Sequence, residues 1–329
     1  MKILSDILSA TVLFSVPLLL VALGGMFSER SGIVNIALEG IMVVGALFAC
    51  LALRAMSMNT QLGETAPQLA MLIAILVAAF SGAIFSLLLA FASVSLKADQ
   101  TIGGTALNMM APAVAIAVTW AVQGQGQTNI IIPTWARITQ ETLGIAVRDN
   151  FWQSFLFKSF YQTTIWAVFI FIIATVVLYK TRFGLRLRAC GEHPQAADSV
   201  GVNVFRMRYS GVFISGMLGG IGGLAYTLAA GSTFQSSVAG YGFLALAVMI
   251  FGNWKPWNIL GASLFFALFK IIGSYSSSIP FLPSFSNLNQ SEYLYLMVPY
   301  IVTMIVLILT SKKSRAPKAE GIPYDKGRR

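Results

Sequence analysis

Charged and amide side chains are rare within the long apolar runs of this sequence, and these few residues are its first candidates for chemistry. Asn35 and Glu39 are four residues apart, a spacing that predicts a shared face of one helix. A carboxylate inside a membrane is costly and marks a functional site by default, such as a polar lining of a solute path. The alternative is a buried carboxylate that pairs with Arg30 or with a neighbouring helix.

Other polar side chains lie within or beside apolar runs. Lys270 lies near one end of its run, where snorkelling to the membrane surface competes with solute binding as an explanation. Asn108 is uncharged and falls inside a run, whereas Gln235 and Tyr241 flank a short apolar segment. Transporters commonly place their binding sites at discontinuous helices. The candidates for lining a translocation path are therefore Asn35, Glu39, Asn108, Gln235 and Tyr241.

Motifs for soluble enzyme chemistry are missing from the sequence. It contains neither a G-x-x-x-x-G-K-[ST] phosphate loop nor a G-x-S-x-G elbow, and His193 is its one histidine. Cys50 and Cys190 stand alone, without the spacing of a metal site or a disulfide framework. The chain is therefore not expected to hydrolyse ATP by itself, to bind a metal or to carry a cofactor of its own. A membrane enzyme stays open only as an alternative that lacks a clustered site.

The elements that position these residues are predicted from hydropathy. The chain is 57% hydrophobic and 10% charged, too few charged residues for a water-facing surface. About 20 apolar residues cross a bilayer. Eight such runs cover residues 7–27, 33–53, 68–95, 102–122, 160–179, 209–230, 239–275 and 293–310. The seventh is divided by residues 252–256 into 239–251 and 257–275. These runs predict an all-α membrane protein, a polytopic helical bundle of 8–10 transmembrane segments.

The basic residues indicate orientation rather than nucleic-acid binding. Thirteen of the 22 fall in residues 180–208 and 311–329, and both stretches follow apolar runs. By the positive-inside rule both stretches are cytoplasmic, which places 28–32, 96–101 and 252–256 inside as well. This topology puts 16 basic residues inside and five outside, with an external N-terminus and a cytoplasmic C-terminus. Residues 1–310 form one transmembrane domain, and the basic tail 311–329 is expected to be disordered.

The loop 180–208 carries a further signal. Pro194 is favourable in the first turn of a helix, so residues 195–200 are predicted to form a short helix that Gly201 closes. A partner protein could grip such an exposed helix between two spans. A merely solvated basic loop fits the same residues equally well.

Four segments resemble one family of transport proteins. They read SERSGIVNIALEGIMVVGA from residue 28, KADQTIGGTALNM from residue 97, FGLRLRACGEHPQAADSVGVNVFRMRYSGVFISGMLGGIGGLAY from residue 183, and AGYGFLALAVMIFGNWKP from residue 239. These segments resemble the permeases of bacterial ABC importers for nucleosides and simple sugars, which are related to the ribose and branched-chain amino acid permeases. Within this family, the first three segments are most similar to the permeases for nucleosides.

The resemblance implies a type II ABC importer permease in the cytoplasmic (inner) membrane, working by alternating access. It implies three protein partners: a cytoplasmic ABC ATPase that uses the ATP, a second permease that is homologous or identical, and an external solute-binding lipoprotein or periplasmic protein. It also places an ATPase-coupling helix on Gly184, Arg188, Gly191, Glu192, Pro194, Ala197, Asp198 and Gly201. The alternative is a secondary transporter driven by an ion gradient, for which Glu39 is the best charge relay.

Overall fold

Lipid offers the backbone no hydrogen-bond partners, so apolar runs of this length fold as helices. The computed structural model describes residues 2–59, 62–136, 161–231, 233–275 and 316–326, together with 297, 298, 301, 304, 305 and 308. The helices of the continuous ranges are α1 (Lys2–Arg30), α2 (Leu38–Asn59), α3 (Leu62–Thr65), α4 (Pro67–Ala90, continued by a π-helical turn Phe91–Ser95), α5 (Gln100–Gln123), α6 (Gln162–Lys180), α7 (Arg182–Glu192), α8 (Pro194–Ser199), α9 (Val204–Ala230), α10 (Tyr241–Phe251) and α11 (Pro256–Ser274). Two short strands, β1 (Ile130–Ile131) and β2 (Thr233–Phe234), pair antiparallel.

The predicted spans agree with these helices. Within the described residues, seven helices are long and apolar enough to cross a membrane: α1, α2, α4, α5, α6, α9 and α11. The division of the seventh run is confirmed, because α10 has only 11 residues and a turn at 252–255 separates it from α11. The eighth run, 293–310, lies largely outside the described residues, and the six of its residues that are described are helical. The all-α membrane fold is confirmed.

Helix α9 forms the centre of the bundle, packed against α1, α2 and α4. Its glycines explain this position. A Cβ on Gly220 would overlap the carbonyl oxygen of Ala78 in α4, and a Cβ on Gly82 would overlap that of Gly216. Burial gives helices little drive to associate in lipid, so close backbone contact at small residues is what holds such helices together.

The helix ends gather at two faces. Residues 28–37, 95–100, 180–204, 252–256 and 316–326 lie together at one end, which we call the basic face. Contacts join them: the guanidinium of Arg30 lies 3.7 Å from the carboxylate of Glu192, and Arg30 also donates to the carbonyl oxygen of Trp254. The β1–β2 pair joins the loops at the opposite end. The stretches predicted to share one side of the membrane therefore do lie together.

The prediction that Asn35 and Glu39 share a helix face is wrong. The chain leaves the helix after Arg30 and stays non-helical through Ala37, so α2 begins only at Leu38. Side chains of α5 hold residues 31–37, which we call the open segment, in this non-helical conformation. The amide oxygen of Gln100 accepts from the backbone N–H of Val34 (2.7 Å), and the amide nitrogen of Asn108 donates to the carbonyl oxygen of Ile36 (2.8 Å). These two bonds satisfy backbone groups that a helix would otherwise pair internally.

The tail also differs from its prediction of disorder. Residues 316–326 lie against the basic face, where Ala319 and Tyr324 are buried. The backbone N–H of Ala319 donates to the carbonyl oxygen of Gly191 (2.8 Å). Residues 311–329 are rich in lysine and arginine, so their composition predicts disorder. Composition does not reveal the few apolar and backbone contacts that order residues 316–326. The rest of that stretch, 311–315 and 327–329, lies outside the described residues.

Candidate functional site

The loop between α6 and α9 is built from two short helices. The hydroxyl of Thr181 accepts a hydrogen bond from the backbone N–H of Gly184 (3.2 Å), which caps the start of α7. His193 ends α7, and Pro194 occupies the first turn of α8. Gly201 has a φ of +83°, a conformation that favours glycine, and it turns the chain toward α9. The short helix predicted at 195–200 is thus present as Pro194–Ser199.

Two glycines seat α7 on the membrane domain. A Cβ on Gly184 would overlap the carbonyl oxygens of Val177 and Leu178 in α6. A Cβ on Gly191 would overlap the carbonyl oxygen of Arg30, at the end of α1. Any larger residue would push α7 away, so these positions fix the loop against two membrane helices at once.

Three charged residues of the loop, Arg188, Glu192 and Asp198, contact other parts of the same chain. Glu192 pairs with Arg30, and the guanidinium of Arg188 lies 4.9 Å from the centre of the Tyr179 ring. Asp198 accepts a hydrogen bond from the hydroxyl of Tyr324 in the tail. These contacts hold the loop in place, and they leave the outward surface of α8 to other residues.

The exposed helix was predicted from the sequence, but the residues of its outward surface were not. Ala197 is buried under α8, whereas Gln195, Ala196, Ser199 and Val200 are exposed, Val200 by 77%. The signal was available in the sequence, because positions 195, 196, 199 and 200 share one helical face opposite Ala197. A face of this kind, raised on a rigid base, is a surface that a second protein can contact.

Cys190 packs into the base of the loop rather than onto its surface. Burial raises the pKa of its thiol to about 11, so the thiol stays protonated at neutral pH. Cys50 is free and buried too. Among the described residues, no group of His, Cys, Asp and Glu side chains has the arrangement of a metal site.

A second polar site lies where two helices begin inside the bundle. Oε1 of Glu39 accepts from the backbone N–H of Gly240 (2.8 Å), and Oε2 accepts from that of Gly242 (2.6 Å). Glu39 stands in the first turn of α2, and Gly240 is the left-handed residue that precedes α10. The carboxylate therefore caps the positive end of a second helix, an arrangement that stabilises negative charge in a membrane. Glu39 pairs with this neighbouring helix and not with Arg30.

The other candidate path residues are divided between this site and its supports. Asn108 bridges the open segment to α2, since its amide oxygen accepts from the backbone N–H of Gly40 (2.8 Å). Asn35 is fully buried and donates to the hydroxyl of Ser215 (2.8 Å). Gln235 is exposed beyond β2. Of the five, only Tyr241 directly adjoins the residues that Glu39 binds.

The ammonium group of Lys270 lies over the ring of Tyr241. The position of Lys270 near the end of the apolar run had also suggested extension to the membrane surface. Its ammonium nitrogen lies 4.0 Å from the centre of the Tyr241 ring and 5.9 Å from that of Phe14. The Tyr226 ring stands 4.3 Å from that of Tyr241. A cation among aromatic rings is stabilised by their negative faces, so these rings offer the Lys270 charge a favourable place beside Tyr241.

Sequence comparison relates this chain to known proteins. The family described as the permease component of the branched-chain amino acid transport system matches residues 7–307, which include the loop with α7 and α8 and the site around Glu39. The chain belongs to this family. Its members are multi-pass membrane proteins, in agreement with the seven apolar helices.

Several relatives match over most of their length. The guanosine ABC transporter permease protein NupQ of Bacillus subtilis is 41% identical over all of this chain and 99% of the relative. The nucleoside ABC transporter permease protein NupC of Lactococcus lactis is 40% identical over 99% of this chain and 98% of the relative. The putative glucose ABC transporter permease protein TsgC13 of Haloferax volcanii is more distant, at 28% identity over 93% of this chain and 92% of the relative. No solved structure matches the chain.

Proposed function

We propose that this protein is the permease subunit of an ABC importer that carries nucleosides across the cytoplasmic membrane. The observation that carries the proposal is the likeness, over the whole chain, to two permeases named for guanosine and nucleoside transport. Nucleosides are favoured over simple sugars because the two relatives named for glucose are less similar, at 28% and 26% identity, than the two named for guanosine and nucleosides, at 41% and 40%. The chain itself carries no covalent chemistry on the solute and needs no cofactor.

The exposed face of α8 is the docking surface for the cytoplasmic ATPase, which binds and hydrolyses the ATP. The basic face is then cytoplasmic, in accord with the positive-inside rule. The C-terminal tail lies on that side, and the N-terminus of α1 lies on the other. A second permease, homologous or identical, completes the pathway, and an external solute-binding protein delivers the nucleoside.

The contacts of the loop suggest how ATP hydrolysis reaches the solute. A push on α8 passes to α7, which rests on the end of α1 at Gly191 and on α6 at Gly184. The open segment 31–37 follows α1 directly and leads to Glu39. A small shift of α1 would therefore alter the junction between α2 and α10, which makes Glu39 and Tyr241 our leading candidates for the translocation path. Alternating access of this kind needs only rigid-body shifts of packed helices.

The proposal is tested by affinity purification of the tagged permease from native membranes in mild detergent, followed by mass spectrometry. An unrelated multi-pass protein with the same tag serves as the control. Recovery of an ABC ATPase and a second permease, specific to the tagged chain, is the expected result. A preparation that lacks any ATPase even after gentle crosslinking would contradict the proposal.

A further inference from the structure

The tail segment 316–326, which we call the strap, contacts several elements of the basic face. Its backbone makes two of these contacts. The N–H of Ala319 donates to the carbonyl oxygen of Gly191 in α7 (2.8 Å), and the N–H of Gly321 donates to that of Gly32 after α1 (3.2 Å). The strap therefore joins the base of the loop to the start of the open segment.

A buried arginine anchors the middle of the strap. Arg208 in α9 is only 1% exposed, and its Nη1 donates to the carbonyl oxygen of Ile322 (2.9 Å). A buried cation that loses such an acceptor is strongly destabilised. Arg208 therefore favours the docked strap over the released one.

The end of the strap reaches α8 itself. Tyr324 is buried, its ring packs edge-on against that of Phe205 in α9 with centres 5.5 Å apart, and its hydroxyl donates to Asp198. Asp325 pairs with Lys97, which precedes α5, at 3.2 Å. One short segment thus connects α8, α9 and the start of α5.

The start of the strap reaches into the end of α1. The carboxyl group of Glu320 lies beside that of Glu29 in α1. The indole N–H of Trp254 donates to Glu29, so the turn between α10 and α11 belongs to the same group. The strap and the residues beside it therefore connect the end of α1, the start of α9 and the turn between α10 and α11.

We propose that the strap is a positioning element that holds α8 at a fixed place relative to α1 and α9, so that movement of α8 reaches both helices. This inference rests on the proposed function, since it assumes an ATPase at α8. Asp198 gives the most direct link, because its carboxylate joins the underside of α8 to Tyr324. Without the strap the ATPase still binds the exposed face of α8. The movement of α8 then deforms the loop and no longer shifts α1 and α9.

The experiment uses the full importer in liposomes and measures nucleoside moved per ATP hydrolysed. Tyr324→Phe keeps the ring on Phe205 and removes only the hydroxyl that Asp198 accepts from. We expect the transport ratio to fall by roughly tenfold while the ATPase stays bound, since a hydrogen bond to a carboxylate is worth about that factor. Deletion of residues 316–329 should lower it further. Lys318→Ala, at an exposed strap position, is the control and should leave the ratio unchanged.

The outcomes separate this inference from the proposed function. An unchanged ratio in Tyr324→Phe would overturn the strap's role, and so would loss of the ATPase together with transport, which would make the strap a docking contact instead. If the deletion variant fails to insert, Tyr324→Phe alone decides. If the wild-type chain binds no ATPase, the proposed function itself fails.

Discussion

The carboxylate of Glu39 accepts a hydrogen bond from the backbone N–H of Gly240 (2.8 Å). A glutamate in the first turn of α2 therefore caps the start of α10. Both helices start within the bundle, α2 after the open segment 31–37 and α10 after the left-handed Gly240. Discontinuous helices of this kind expose backbone groups where a solute can pass. The bond thus ties together the two elements on which a translocation path in this protein would depend.

Replacement of Glu39 should separate structural from transport effects. Glu39→Ala leaves two N–H groups of α10 without their acceptor and should lower the free energy of unfolding by about 2 kcal/mol or more. Glu39→Gln keeps one acceptor and should cost less. Thermal unfolding of the purified protein in detergent measures both changes. Equal stability of Glu39→Ala and the wild type would show that the cap is not needed.

Reversal of charge in the loop should abolish transport without preventing membrane insertion. Glu192→Lys places a second cation beside Arg30, and Asp198→Lys removes the acceptor of the Tyr324 hydroxyl. Both changes displace α8 from its seat. Nucleoside uptake and the amount of protein in the membrane are measured together. Glu64→Lys, a charge reversal at an exposed position at the opposite end, is the matched control. Normal uptake in the two loop variants would refute the coupling assignment.

The outward face of α8 should determine binding of the ATPase. Val200→Glu adds a charge to a side chain that is 77% exposed, so it should leave the fold intact and reduce recovery of the ATPase in purification. Ile131→Glu changes a side chain of similar exposure (71%) in β1, at the far end, and should have no effect. Equal ATPase recovery from both variants would place the docking surface elsewhere.

Docking of the strap should depend on pH through Glu320. Burial raises the pKa of its carboxyl above the ordinary glutamate value, while Glu29 and Arg30 beside it oppose that change. A raised pKa means that the docked strap binds the proton more tightly, so docking is strongest in acid and weakens as the pH rises through the raised value. A spin label on Lys326→Cys should therefore become more mobile as the pH increases.

Glu320→Gln is the matched variant for that measurement. The glutamine is neutral at every pH, so it should keep the label immobile where the wild type loosens. A label whose mobility changes with pH equally in both proteins would assign the effect to another group.

Much of the fold follows from the sequence because lipid makes hydropathy decisive: long apolar runs must become helices. The short helix α8 was predicted from Pro194 and Gly201, whose backbone preferences mark its two ends. The open segment was not predicted, because its helical hydrophobic pattern is overruled by side chains of α5 that are distant in sequence. The strap was missed for a similar reason, since its contacts with Gly191 and Arg208 are tertiary and its composition resembles a disordered tail.

The most direct test of the central claim is nucleoside uptake into cells that express the complete importer, measured while the energy source is varied. Depletion of ATP with the ion gradients maintained should abolish uptake, and collapse of the ion gradients with ATP maintained should leave it intact. Uptake that survives the loss of ATP but stops with the ion gradients would contradict the account and make the protein a secondary carrier.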